Sequence, residues 1–160
     1  MASGHVRRAE PTVILVDSNV FVIDLRYPRD VNAQANRRFL DAMAGRADAA
    51  TTVVNVLEVA GILSFNLSPP QLRALVATFA VHYGMRVVPH LDTSLPLPAP
   101  AVGDLIDRIA GKMAFGDALV LAAAEAASPA ISAFVSWDAG HFSGRTRLQV
   151  LTPVEWLAMQ

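Results

Sequence analysis

Residues 13–16 read VILV and run straight into Asp17, Ser18 and Asn19. A short continuous run of branched apolar residues is the pattern of a strand covered on both faces, and such strands belong mainly to parallel sheets packed between helices. A carboxylate at the end of such a strand is costly to bury unless something compensates its charge. Open parallel sheets hold their ligands outside the carboxyl ends of the strands, which is where Asp17 falls.

The rest of the chain repeats the alternation of strand and helix. The first strand is expected over 12–16, with Ser18 or Asn19 capping a short helix after it. YPRD (27–30) breaks the chain, and 31–45 reads as a helix with Val31, Ala35, Phe39, Ala42 and Met43 near one face and Gly45 as its stop. AATTVV (49–54) is the second strand, followed by a helix capped by Asn55 and running to about Phe65. SPP (68–70) opens a helix that runs to about Tyr83 and closes on Gly84. MRVVPHL (85–91) is the third strand, and the proline-bearing stretch 92–100 is a connector. Helices are expected over 101–113 and 116–127, strands over 133–137 and 148–152, and a last helix from Pro153, capped by Thr152. Strands separated by helices imply βαβ units. The expected class is α/β: a three-layer α/β/α sandwich with a mainly parallel central sheet of about five strands. The 160 residues suit one domain over 12–160, preceded by a flexible lead-in over 1–11.

Composition narrows the classes further. The chain has no cysteine, which excludes disulfides and thiolate metal sites and fits a reducing cytoplasm. No apolar run reaches the roughly 18 residues of a membrane span, and the N-terminus lacks the apolar segment of a secretory signal. The net charge of −1 argues against a broad basic face for nucleic acid. A phosphodiester substrate would need local contacts, or metal ions to supply positive charge.

Three more acids stand out. Glu58 lies in VVNVLEVAG, Asp117 opens the apolar run FGDALVLAAA, and Asp138 follows the strand FVSW. Singly, each has an ordinary explanation as a cap, a turn residue or a first-turn acid. Together with Asp17 they make sense if they converge on cations. All four are oxygen donors, a set that suits magnesium, manganese or calcium and not zinc. His5, His82, His90 and His141 show no metal-ligand spacing, and only His141 falls near an acidic segment.

In order, VDSNVFV, NVLEVAG, FGDALVLAAA, VSWDAGHF and LTPVEWL resemble the PIN-domain nucleases, and in pattern the VapC-like toxins of bacterial toxin–antitoxin pairs. The resemblance spans residues 12–157, and the ordered set is more specific than any one segment. It implies a metal-dependent endoribonuclease, the toxin of a type II pair, with Mg2+ or Mn2+ held by Asp17, Glu58, Asp117 and Asp138. Asn19 and Ser136 match the polar residues that orient those carboxylates. His141 stands where many members carry a further acid. The resemblance also implies an RNA substrate, an antitoxin partner, a homodimer and a cytoplasmic location. Arg26, Arg29 and Arg145, with Arg37, Arg38 and Arg147, are candidate contacts to the RNA backbone. The leucines, Val76 and Phe79 of 71–83 could pack the core, a second copy or an antitoxin peptide.

Two alternatives keep the fold: an RNA-processing nuclease without an antitoxin, and a catalytically silent binding module. A haloacid-dehalogenase-like phosphatase also opens on an aspartate after its first strand. It needs a second aspartate where this chain has Asn19, and a lysine for which Lys112 is the sole candidate.

Overall fold

The computed structural model describes residues 13–127 and 131–160. The expected lead-in over 1–11, and Thr12 at the start of the first strand, lie outside the described residues.

Strands β1 (Val13–Val16), β2 (Ala49–Thr52), β3 (Arg86–Val88), β4 (Ile131–Val135) and β5 (Gln149–Leu151) form one sheet in the order β3-β2-β1-β4-β5. Every pairing is parallel. β1 is therefore central, flanked by β2 and β4. The chain winds outward through β2 and β3, then returns to the other side of β1 with β4 and β5. That reversal puts a crevice between the carboxyl ends of β1 and β4, the place where open α/β sheets take their ligands.

Alternation along β1 divides the core. Ile14 and Val16 face one layer with helices α1 (Ser18–Arg26), α2 (Ala33–Met43), α3 (Val53–Leu63), α4 (Pro69–Tyr83) and α8 (Pro153–Ala158). Val13 and Leu15 face the other, with α5 (Val102–Ala110), α6 (Phe115–Ala127) and the short α7 (Ala139–Phe142). This is the three-layer α/β/α sandwich with a parallel five-stranded sheet that the sequence implied. The first layer is anchored by Phe21, whose ring lies 4.9 Å from Phe79 and 4.7 Å from Tyr83.

Several boundaries differ from the sequence reading. β2 stops at Thr52, and the β-branched Val53 and Val54 open α3 instead of extending the strand. The cap of α3 is Thr52, whose hydroxyl accepts from the Asn55 N–H; Asn55 is not the cap. Asp17 caps α1, in place of Ser18 or Asn19, by accepting the Ser18 N–H. α2 begins at Ala33, so Val31 is exposed before the helix and not on its buried face. β4 spans 131–135, two residues earlier than expected. α7, with Asp138 at its cap position, was not anticipated. On α4, Phe79 is core, and Leu72, Leu75 and Val76 pack partly against it.

The capping signals of α4 and α8 read correctly. Ser68 and Gln71, and Thr152 and Glu155, form reciprocal capping boxes. Gly84 ends α4 at φ 59°, and a Cβ there would stand 2.9 Å from the Gly45 nitrogen. The Gly45 N–H donates to the Gly84 carbonyl at 2.9 Å, so two inter-element turns lock together at the amino end of the sheet.

Candidate acidic active site

Asp17 is placed by the two strongest features of the fold. β1 is pinned between β2 and β4, and the Asp17 N–H donates to the Val135 carbonyl at 2.9 Å. Its carboxylate is buried and bonded on both sides. Oδ1 accepts from the Ser18 N–H (2.8 Å) and from Asn55 Nδ2 (3.1 Å), and Oδ2 accepts from the Ser136 hydroxyl (2.7 Å). With two lone pairs per carboxylate oxygen, Oδ1 is saturated and Oδ2 keeps one position open.

Glu58, Asp117 and Asp138 come from three other elements. Glu58 is in the second turn of α3, half-buried, and its Oε2 accepts the Ser18 hydroxyl in a short hydrogen bond. Asp117 is in the first turn of α6, 38% exposed at its side chain, where the helix dipole favours an acid. The buried run behind it begins at Ala118, so Asp117 stands at the helix start, where the sequence put it, and rims the pocket. Asp138 follows β4, is exposed, and makes no capping bond with its side chain. The four acids line one cavity of about 220 Å³ with Ser18, Asn19, Val22, Ile62 and Val120. It opens at the crevice between β1 and β4.

Asn19 and Ser136 stitch the two sides of that crevice. Asn19 Nδ2 donates to Ser136 Oγ (3.0 Å) and Asp138 Oδ2 (3.3 Å), and its Oδ1 accepts the Trp137 N–H (3.2 Å). Ser136 Oγ also accepts the Asp138 N–H at 3.0 Å while donating to Asp17. Trp137 is held in turn by its indole N–H, which donates to the buried Asn36 Oδ1 at 2.7 Å.

The pocket is under electrostatic load. Burial raises the Asp17 carboxyl to about 7, opposed by the Ser136 and Ser18 hydrogen bonds and reinforced by the charges of Glu58 and Asp117. A divalent cation would relieve that load, and an all-oxygen donor set suits magnesium or manganese. Among the described residues, no three His, Asp or Glu side chains are already spaced to grip an ion together. The shared cavity and the missing triple are compatible, because magnesium keeps several waters and commonly takes only one or two carboxylates directly. The residues therefore fit a hydrated ion.

The other sequence candidates fall outside the cavity lining. Arg26 donates to the Ile62 carbonyl (3.2 Å) and lies over the Tyr27 ring. Arg37 pairs with Asp24 at 2.6 Å, and Arg145 donates to the Lys112 carbonyl at 3.1 Å. Arg29, Arg38 and Arg147 are exposed. His141 stands 3.9 Å from Asp117 at the rim. The 92–100 connector borders a separate apolar cavity of about 250 Å³ through Leu97, Pro98, Ala99 and Pro100. Two residues of the site were missed in the sequence: Ser18, read only as a cap, and Asn55, read as the wrong cap. Asn55 had a visible signal. It precedes Glu58 by three positions, so both share one helix face.

No protein-family model matches the chain, and no curated protein sequence matches it. Solved structures do. The chain shares its fold with FitAcB from Neisseria gonorrhoeae at TM-score 0.60 and 19% identity, over 89% of this chain and 99% of that one. It shares it likewise with FitAB bound to the IR36 DNA fragment, at TM-score 0.58 and 20% identity, over 88% of this chain and 95% of that one.

Proposed function

We propose that this chain is a metal-dependent endoribonuclease of the PIN-domain type, acting as the toxin of a type II toxin–antitoxin pair. One observation carries the reading: four carboxylates from four separate elements line a single cavity at the switch point of a parallel sheet. The fold held in common with FitAcB and FitAB supports it.

Asp17, Glu58, Asp117 and Asp138 would hold Mg2+ or Mn2+. When bound, such an ion lowers the pKa of water and neutralises charge on a phosphodiester. The chain's own residues do the rest. Asp17 would meet the ion through Oδ2, because its Oδ1 is already filled by Ser18 and Asn55. Glu58 would meet the ion through Oε1, since Oε2 already accepts the Ser18 hydroxyl and is held toward Ser18. Asn19 and Ser136 hold Asp138 and Asp17 at a fixed separation across the crevice. Val22, Ile62 and Val120 give the cavity apolar walls, which strengthen the interaction of its charges. Exposed Arg29, Arg38 and Arg147 remain the candidates for contacts to the RNA backbone.

The test is cleavage of single-stranded RNA with Mg2+ or Mn2+, with chelator, and with Asp17→Asn. Wild-type cleavage that disappears in both controls is the expected result. Equal cutting by Asp17→Asn, or none by wild type with either metal, overturns it. The toxin assignment has its own assay: expression should arrest growth, and co-expression of a small protein encoded beside the gene should relieve the arrest. Cleavage without arrest favours the RNA-processing alternative. A homodimer belongs to the same reading, and Val102, Ile106 and Ile109 leave apolar surface exposed on α5. Sedimentation would show the dimer.

A further inference from the structure

Four of the bonds behind the acid cavity form one directed chain. The Thr52 hydroxyl donates to Asn55 Oδ1 at 2.6 Å. Asn55 Nδ2 donates one hydrogen to Ser18 Oγ at 2.8 Å and the other to Asp17 Oδ1 at 3.1 Å. The Ser18 hydroxyl spends its single hydrogen on Glu58 Oε2. The amide cannot be turned over. With its oxygen toward Asp17 it would face a carboxylate, and Asp17 and Ser18 would each lose a donor. Asn55 is 1% exposed and Ser18 is 3% exposed, so water does not replace these bonds.

The Thr52 cap needs none of this, because the hydroxyl already closes it by accepting the Asn55 N–H at 3.1 Å. The Asn55 side chain instead reaches across from α3 to the start of α1, where it binds Asp17 directly and Ser18, whose hydroxyl holds Glu58. We infer that Asn55 is a positioning residue: bonded directly to Asp17 and through Ser18 to Glu58, it locks the two acids as a pair, leaving Asp17 Oδ2 and Glu58 Oε1 for a divalent cation. The inference rests on the metal-dependent reading above. A Thr or Val at position 55 fills space but cannot supply two hydrogens in two directions.

The experiment is Mn2+ titration of the full chain, reading free ion by electron paramagnetic resonance, with circular dichroism as the check on folding. Asn55→Val should weaken Mn2+ binding by about tenfold or more, as loss of partners behind metal ligands commonly does. Ser18→Ala should weaken it too, and that loss should vanish in a Glu58→Gln background, since Ser18 acts through Glu58. Wild-type Mn2+ affinity in folded Asn55→Val overturns the inference while leaving the nuclease reading standing. Full additivity of Ser18→Ala with Glu58→Gln overturns it as well. Should Asn55→Val not fold, that cycle decides alone. A wild-type chain that binds no Mn2+ overturns both readings together.

Discussion

Replacing Asp17 with asparagine should stabilise this protein above neutral pH and not below it. Burial moves the carboxyl from 3.8 to about 7. Across that interval the folded chain holds a proton that the unfolded chain has released. Stability therefore falls as pH rises through the window, and the whole penalty applies only above the folded value. The shift corresponds to about 4 kcal/mol. Asparagine carries no charge and escapes that penalty, but it meets another. Its Nδ2 would point at Ser136 Oγ, which already accepts from Asn19 and from the Asp138 N–H, and the Ser136 hydrogen would lose its acceptor. One spoiled buried bond costs about 1–3 kcal/mol. The balance is a gain of about 1–3 kcal/mol for Asp17→Asn at about pH 8 without metal, and a loss of similar size at about pH 4. Urea denaturation in chelator, followed by far-ultraviolet circular dichroism across that range, reads the difference directly. A stability difference that does not change with pH refutes the reasoning, because it would mean that the Asp17 proton is held equally in both states.

Ser136→Ala removes the largest influence that lowers the Asp17 pKa, so on the same curves the fall in stability should begin at the same pH as in wild type but extend to higher pH. Gly84→Ala forces a side chain into a left-handed residue with its Cβ 2.9 Å from the Gly45 nitrogen; it should cost at least about 2 kcal/mol in urea denaturation while sparing RNA cleavage. Phe21→Ala empties the centre of the Phe21–Phe79–Tyr83 cluster and should cost about 3–5 kcal/mol, read as a lower denaturation midpoint. Thr152→Ala uncaps α8 and should cost about 1 kcal/mol with no change in Mn2+ affinity.

What could be read from the sequence was what local pattern encodes. The apolar run before Asp17 announced a buried strand, and Ser68 with its two prolines announced the start of α4. The four acids stood out because each sat in an apolar setting. Val53 and Val54 misled because β-branched residues suit a strand, and only the Thr52 cap decides that the helix has begun. Ser18 and Asn55 were hidden for a different reason. Their partners lie 40 and 38 positions away, Glu58 for Ser18 and Asp17 for Asn55, and no local rule connects them. Capping its own helix does not take Asp17 out of the site: Oδ1 does the capping, while Oδ2 accepts only the Ser136 hydroxyl and the residue still lines the cavity.

Trp137 carries a consequence for how the protein can be watched. The chain has two tryptophans. Trp156 is buried in the core beneath the Arg46 guanidinium, whereas Trp137 joins Ser136 to Asp138 and hangs its ring from Asn36. Any rearrangement of the Asp138 backbone passes through the peptide that carries this indole. With Trp156→Phe, the remaining emission would come from a single fluorophore one residue from the cavity, so ion uptake could be followed as a shift in colour and brightness, in real time and without a label.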